Sequence, residues 1–226
     1  MRIGIVGALE PEIRAFGGRR PRRACGDAVL RAVSGVGADR AYGAGKRLIE
    51  SGADALVSWG TAAALVPALR PGSLLLPRKV IACDGSEFAV DAEWQQRVRE
   101  RLRTELPVHT APLADAGRAL LSTADKRTLA QRSGAAAADM ESAALAVLAY
   151  EAGIPLLVVR AVVDSAGVAV PARLAAAARG DGSVSVLSTV AWLACSPSQW
   201  PAAFELARGF RAALLTLQRV AHEVQA

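Results

Sequence analysis

The sequence predicts a three-layer α/β/α fold around a central mixed, mostly parallel sheet. Two observations carry that expectation. Residues 154–163, IPLLVVRAVV, are β-branched and apolar except for Arg160, which is how a strand covered on both faces of a parallel sheet reads. Residues 2–8, 28–34 and 53–59 are further strand patterns, and each of the first two leads through a short turn into a helical pattern. With 226 residues and 52% apolar content, a single folded domain spanning residues 1–226 is expected.

In chain order, RIGIVGA at residues 2–8 forms the opening strand, and Leu9-Glu10-Pro11-Glu12 starts a helix whose first turn accommodates proline and acids. Gly4 and Gly7 lack the G-x-G-x-x-G spacing of a dinucleotide site. The strand at 28–34 is followed by Gly35-Val36-Gly37, a turn whose amides can bind an anion, and by a helix over 38–51. GAGKR within that helix is not a phosphate loop, since Arg40 stands at the first glycine and Arg47 replaces the hydroxyl residue. The strand at 53–59 ends at Gly60-Thr61. LLLPRKVIA at 74–82 reads as one more strand, and the polar residues 84–112 read as a peripheral excursion with a helix near 92–106.

The next helix rests on spacing: Met140, Ala143, Ala144, Val147, Leu148 and Glu151 recur at three and four residues, with Asp139 to cap it and Gly153 and Pro155 to stop it. Glu141 falls in its first turn, where amides and dipole would hold it ionised as an acceptor suited to a ribose diol. The strand after it ends at Asp164, and ligands of open α/β sheets sit outside such carboxyl ends. Residues 184–226 are helical in pattern and apolar, with Trp192, Trp200, Phe204 and Phe210 serving either core packing or a lipid-facing wall. RGDG at 179–182 reads as a turn.

The net charge of +6 is mostly arginine, and the cluster of Arg14, Arg19, Arg20, Arg22 and Arg23 reads as a solvated loop. Few aromatics interleave with it, so nucleic acid is not an expected partner. Cys25, Cys83 and Cys195 suggest neither a disulfide framework nor a metal cluster, and His109 and His222 make no zinc motif. The chain opens on a strand pattern instead of a signal peptide, and a reduced cytosol is the expected location.

RIGIVGALEPE at the start, VSGVGA from Val33, VSWGTAAAL from Val57, RPGSLLLP from Arg70, DMESAA from Asp139 and VVRAVVD from Val158 occur in an order that resembles the nucleoside phosphorylase superfamily. The set covers roughly residues 1–167 and is most similar to the methylthioadenosine/S-adenosylhomocysteine nucleosidase branch. STADK before DMES and the SPSQWP-containing tail look most like the hopanoid-associated phosphorylase branch, which is thought to remove adenine from adenosylhopane.

The resemblance implies roles residue by residue. Glu12 stands where the nucleosidases keep the carboxylate that activates water, and Asp164 matches the acid at purine N7. Glu141 matches the glutamate gripping the ribose hydroxyls, with Met140 packing on the sugar. Thr61 takes the place of a small hydroxyl residue, and Ala8 and Gly60 belong to the substrate-binding set. Asp164 would need a raised pKa to hold its proton, and Glu12 would need to be ionised. Ala63 and Ala64 replace family glycines, and because alanine tolerates positive φ poorly, a reshaped loop or narrowed pocket is expected.

Glu12 favours water as nucleophile; phosphate as co-substrate would call on Arg40 or the glycine turn. No metal or organic cofactor is implied. A small-molecule or lipid-linked purine nucleoside, a homodimer and peripheral membrane contact are the expected partners. The ordinary methylthioadenosine/S-adenosylhomocysteine nucleosidase and a non-catalytic nucleoside or lipid binder stay open as alternatives.

Overall fold

The computed structural model describes residues 1–17, 29–102, 106–176 and 199–225. Its sheet has ten strands among them: β1 (Ile3–Gly7), β2 (Val29–Val33), β3 (Ala55–Ala64), β4 (Leu74–Leu75), β5 (Lys79–Ile81), β6 (Glu87–Ala89), β7 (Val108–His109), β8 (Leu113–Asp115), β9 (Ala137–Asp139) and β10 (Leu156–Asp164). The helices are α1 (Glu10–Phe16), α2 (Ala38–Glu50), α3 (Ala92–Leu102), α4 (Thr123–Ser133), α5 (Ser142–Ala152), α6 (Ala172–Ala175) and α7 (Trp200–Gln225).

The sheet is built on β3. Its first half lies between β1 and β10, both parallel to it, and its last residues pair antiparallel with β9. Parallel pairs also join β1 to β2, β4 to β7, β5 to β8 and β8 to β9, while β10 to β4 and β5 to β6 are antiparallel.

Alternate residues of the central strands enter opposite cores, which makes the fold three-layered. Leu56, Val158 and Val162 pack with α2 and α5 on one face; Val57, Trp59, Leu157 and Val159 pack with α1, α3 and α7 on the other. Trp59 is fully buried, meets the edge of Phe16 at 4.9 Å between centroids and donates through Nε1 to the Glu12 carbonyl at 2.9 Å. That bond fixes α1 against β3.

Several expectations need correction. Gly60 to Ala64 are not a turn but the second half of β3, so Ala63 and Ala64 are extended and paired with β9, and no non-glycine residue among those described has positive φ. The methyl groups therefore cost no backbone strain. LLLPRKVIA is two strands separated at Pro77, which has no N–H to give a ladder. The polar excursion supplies the edge strands β6 and β7, and its helix α3 is described over Ala92–Leu102, residues 103–105 lying outside the described residues. The STADK segment is itself helix α4, opened by Ser122, whose Oγ accepts from the Asp125 amide at 3.0 Å.

Helix α5 begins at Ser142, one residue after Glu141. Asp139 ends β9, and from there its carboxylate takes the Ser142 hydroxyl at 2.5 Å and amide at 3.3 Å. Of the tail, residues 184–198, including Trp192, lie outside the described residues, as do the RGDG turn, Cys25, Cys195 and Arg19, Arg20, Arg22 and Arg23.

Helix α7 crosses β10 so closely that a Cβ built on Gly209 would land on the Val163 carbonyl oxygen, next to Asp164. Alanine there is favoured by helix propensity but must push the helix off the strand. Gly209→Ala is therefore expected to destabilise by about 1–3 kcal/mol, read as a lowered melting temperature. Unchanged or raised stability would show that α7 can shift without cost.

Candidate active site

A cavity of about 450 Å³ opens where the carboxyl ends of β1, β3 and β10 meet. That is within the usual range of about 300–1,000 Å³ for small-molecule sites. Ala8, Glu12, Thr61, Met140, Glu141 and Asp164 all line it. Gly60 lies one layer behind: a Cβ there would stand 3.0 Å from the Glu12 carboxyl atoms, so only glycine lets that side chain lie across the strand.

Glu12 is 2% exposed. Its Oε2 accepts from the Leu9 amide at 2.9 Å, and its Oε1 accepts from both the amide and the hydroxyl of Thr61 at 2.8 Å. The residue thus closes the start of α1 and faces the cavity as well. Burial pushes its carboxyl above the usual range, opposed by the charge of Arg160 and by these donors. A base with raised pKa is a stronger proton acceptor, provided that the pH is high enough to ionise it.

Glu141 departs from the expectation of a carboxylate held ionised by a helix start. It stands at the N-cap and makes no side-chain bond to its own helix. Oε1 instead accepts from the Gly37 amide at 2.9 Å. Burial, then the neighbouring charge of Asp139, push its carboxyl up to about 7. The glycine turn expected to bind an external anion is therefore turned toward an internal one, and the Gly35 amide is bonded to the Ala8 carbonyl. Arg40 is exposed, donates to the Val36 carbonyl and is not among the cavity residues.

Two buried cations were not assigned a place from the sequence. Arg160, 2% exposed, reaches Asp139 at 2.6 Å, Ser58 Oγ at 2.7 Å and Ser142 Oγ at 3.0 Å. It sits behind Glu12, Asp139 and Glu141 and lowers the two glutamates against their burial. Lys126, wholly buried on α4, donates to Asp164 Oδ2 and to the carbonyls of Ser165 and Val168 at 2.8 Å. Burial raises the Asp164 carboxyl, and Lys126 opposes the rise. A bulge at Val162/Asp164 sets Asp164 opposite Ala63, which lets Val163 and Asp164 both line the cavity although neighbours on a regular strand face apart.

The rest of the wall is apolar. Leu120, Leu121, Val170, Leu174, Leu206 and Phe210 are among the larger side chains in it. Arg118 is the one cation among the described lining residues, is mostly exposed, and is bridged to Asp125 at 2.9 Å.

A family model described as the phosphorylase superfamily matches residues 2–186. The chain belongs to the phosphorylase superfamily. Cleavage of N-glycosidic bonds is that superfamily's chemistry, and this member is an enzyme of the class. Comparison with curated proteins finds no match. Among solved structures it is similar to the futalosine hydrolase of Helicobacter pylori, at 16% identity and a TM-score of 0.76, covering 99% of this chain and 97% of that one. A Helicobacter pylori methylthioadenosine nucleosidase mutant with 5′-methylthioadenosine in its active site gives 15% identity, 0.76, and the same coverage. The methylthioadenosine/S-adenosylhomocysteine nucleosidase of Neisseria meningitidis with methylthio-immucillin-A gives 19%, 0.75, and again 99% and 97%. At such identities the likeness is one of fold.

Proposed function

We propose that this superfamily member hydrolyses the N-glycosidic bond of an adenosine whose 5′ position carries a bulky apolar group, adenosylhopane being the substrate that fits the reading best. The observation that carries it is a single cavity in which Glu12, Thr61, Glu141 and Asp164 share a wall with Leu120, Leu174, Leu206 and Phe210. Carboxylates suit the nucleoside, and the apolar wall suits what is attached to it.

In this reading Glu141 grips the ribose hydroxyls and Met140 packs on the sugar. The C1′–N9 bond breaks with its electron pair passing to the purine, and Asp164 gives N7 a proton. Water adds to the oxocarbenium-like carbon as its proton passes to Glu12. Water is preferred to phosphate because Glu12 stands in the cavity as a proton acceptor, while the one cation among the described lining residues, Arg118, is mostly exposed and already bridged to Asp125. A phosphate dianion would meet repulsion there. No cofactor takes part.

The reading takes the chain as one cytosolic domain acting as a homodimer. Peripheral membrane contact is supported by exposed Trp200 and Phe204 on α7, beside the cavity residues Ala203 and Ala207. No helix among the described residues is long and apolar enough to cross a membrane.

The second reading, an ordinary methylthioadenosine/S-adenosylhomocysteine nucleosidase, is favoured by the methylthio nucleosides held by the similar structures. Initial rates on adenosylhopane and on 5′-methylthioadenosine separate the two. The lipid nucleoside is expected to lead in kcat/KM by at least about tenfold, a modest demand where each matched methylene contributes about 0.8 kcal/mol. The reverse order would return the protein to the second reading.

A further inference from the structure

We infer that Lys126 is a positioning residue that holds Asp164 in place and sets its strength as an acid, an assignment that rests on the reading of Asp164 as the proton donor. The placement of Lys126 is costly on two counts. A fully buried ammonium loses its hydration, and a cation in the first turn of α4 opposes the helix dipole. An apolar side chain of the same length would serve packing better. What the lysine does supply is three directed bonds, to Asp164 Oδ2 and to the carbonyls of Ser165 and Val168.

Those bonds fix the turn that leaves β10. Two residues beyond Val168, the Val170 amide donates to the Leu121 carbonyl at 2.9 Å, and both residues line the cavity. The ammonium therefore links the acid to the beginning of the apolar wall.

Among the described residues, the charged groups that share a cavity with Asp164 are Glu12 on α1, Asp139 and Glu141 before α5, Arg118, and Glu205 on α7. Only Lys126 among the described residues forms a hydrogen bond or ion pair with the Asp164 carboxylate. When Asp164 passes its proton to N7, a carboxylate is left in a dry wall, and the ammonium neutralises it. Without that partner the same carboxyl holds its proton to higher pH and gives it up less readily.

The test follows adenine release from 5′-methylthioadenosine or adenosylhopane, whichever is cleaved faster, across pH in the wild type, Lys126→Met, Asp164→Asn and the double variant. In Lys126→Met the basic limb of kcat/KM is expected to move up by at least about one unit, the lower end of the shift that a close opposite charge produces. The double variant removes both charges of the pair, so it escapes the unpaired buried carboxyl of the single variant. It is expected to match Asp164→Asn within about threefold, because contacting residues that act as one are strongly non-additive. An unmoved basic limb, or a double variant far slower than Asp164→Asn, overturns the role of Lys126 while leaving Asp164 as the acid. Full activity in Asp164→Asn overturns both.

Discussion

Glu12→Gln is expected to slow adenine release by about 10²–10⁴-fold, the range that a positioned acid or base contributes. The amide cannot take a proton from water. It also cannot reproduce the hydrogen bonding of the carboxylate, which accepts on both sides, from Leu9 and from Thr61. Whichever way the amide is turned, its NH₂ faces a donor. Initial-rate kinetics check the result, and loss concentrated in kcat is expected if Glu12 acts on water. A Glu12→Gln enzyme with wild-type kcat would remove Glu12 from the chemistry.

The same wild-type measurements carry a pH signature. Glu12 and Glu141 both have folded-state pKa values above the usual 4.5, Glu141 at about 7. Both are needed ionised, so kcat/KM should climb with pH through about 7, and in Glu12→Gln the limb due to Glu141 should stay. The stability linkage runs the other way. Between the ordinary 4.5 and about 7 the folded protein holds more protons at Glu141 than the unfolded chain does. This contribution therefore makes the empty protein less stable as pH rises through that window.

Arg160→Met is expected to damage both stability and activity. It leaves Asp139 buried without its cation and removes the charge that offsets the burial of Glu12 and Glu141. Breaking a buried pair on one side costs about 3–5 kcal/mol, a large share of the roughly 5–15 kcal/mol that holds a domain folded. Adding Asp139→Asn should recover most of the melting temperature, since the pair is then absent instead of broken, but should not restore the rate. If Arg160→Met alone kept both wild-type stability and wild-type kcat/KM, the buried network would be incidental to the site.

How much of this was legible in the sequence depended on whether the signal was local. The strands β1, β2, β3 and β10 announced themselves as apolar runs, with Glu12 just after β1 and Asp164 at the end of β10; Thr61 was read at a strand end but lies within β3, and Glu141 was placed by the helical spacing that follows it. Arg160 was visible as the one charge in a run covered on both faces. A charge there demands a buried partner, and that argument could have led to Asp139. Lys126 gave no such sign. It stands in TADKRTLAQR, a polar stretch that reads as solvated, and its partner Asp164 is 38 residues away. Strands β7, β8 and β9, of two or three residues, are too short for alternation to show. The ionised Glu141 expected from the helix dipole failed because the dipole falls off within a turn, whereas burial and the adjacent Asp139 act on the whole carboxyl.

Hydrolysis driven from Glu12 is tested most directly by adenine release by the purified protein in phosphate-free buffer, beside a sample containing phosphate. Release from adenosylhopane is expected at the same rate in both, with the free sugar as the second product. Release only in the presence of phosphate, with a sugar 1-phosphate formed, would contradict it.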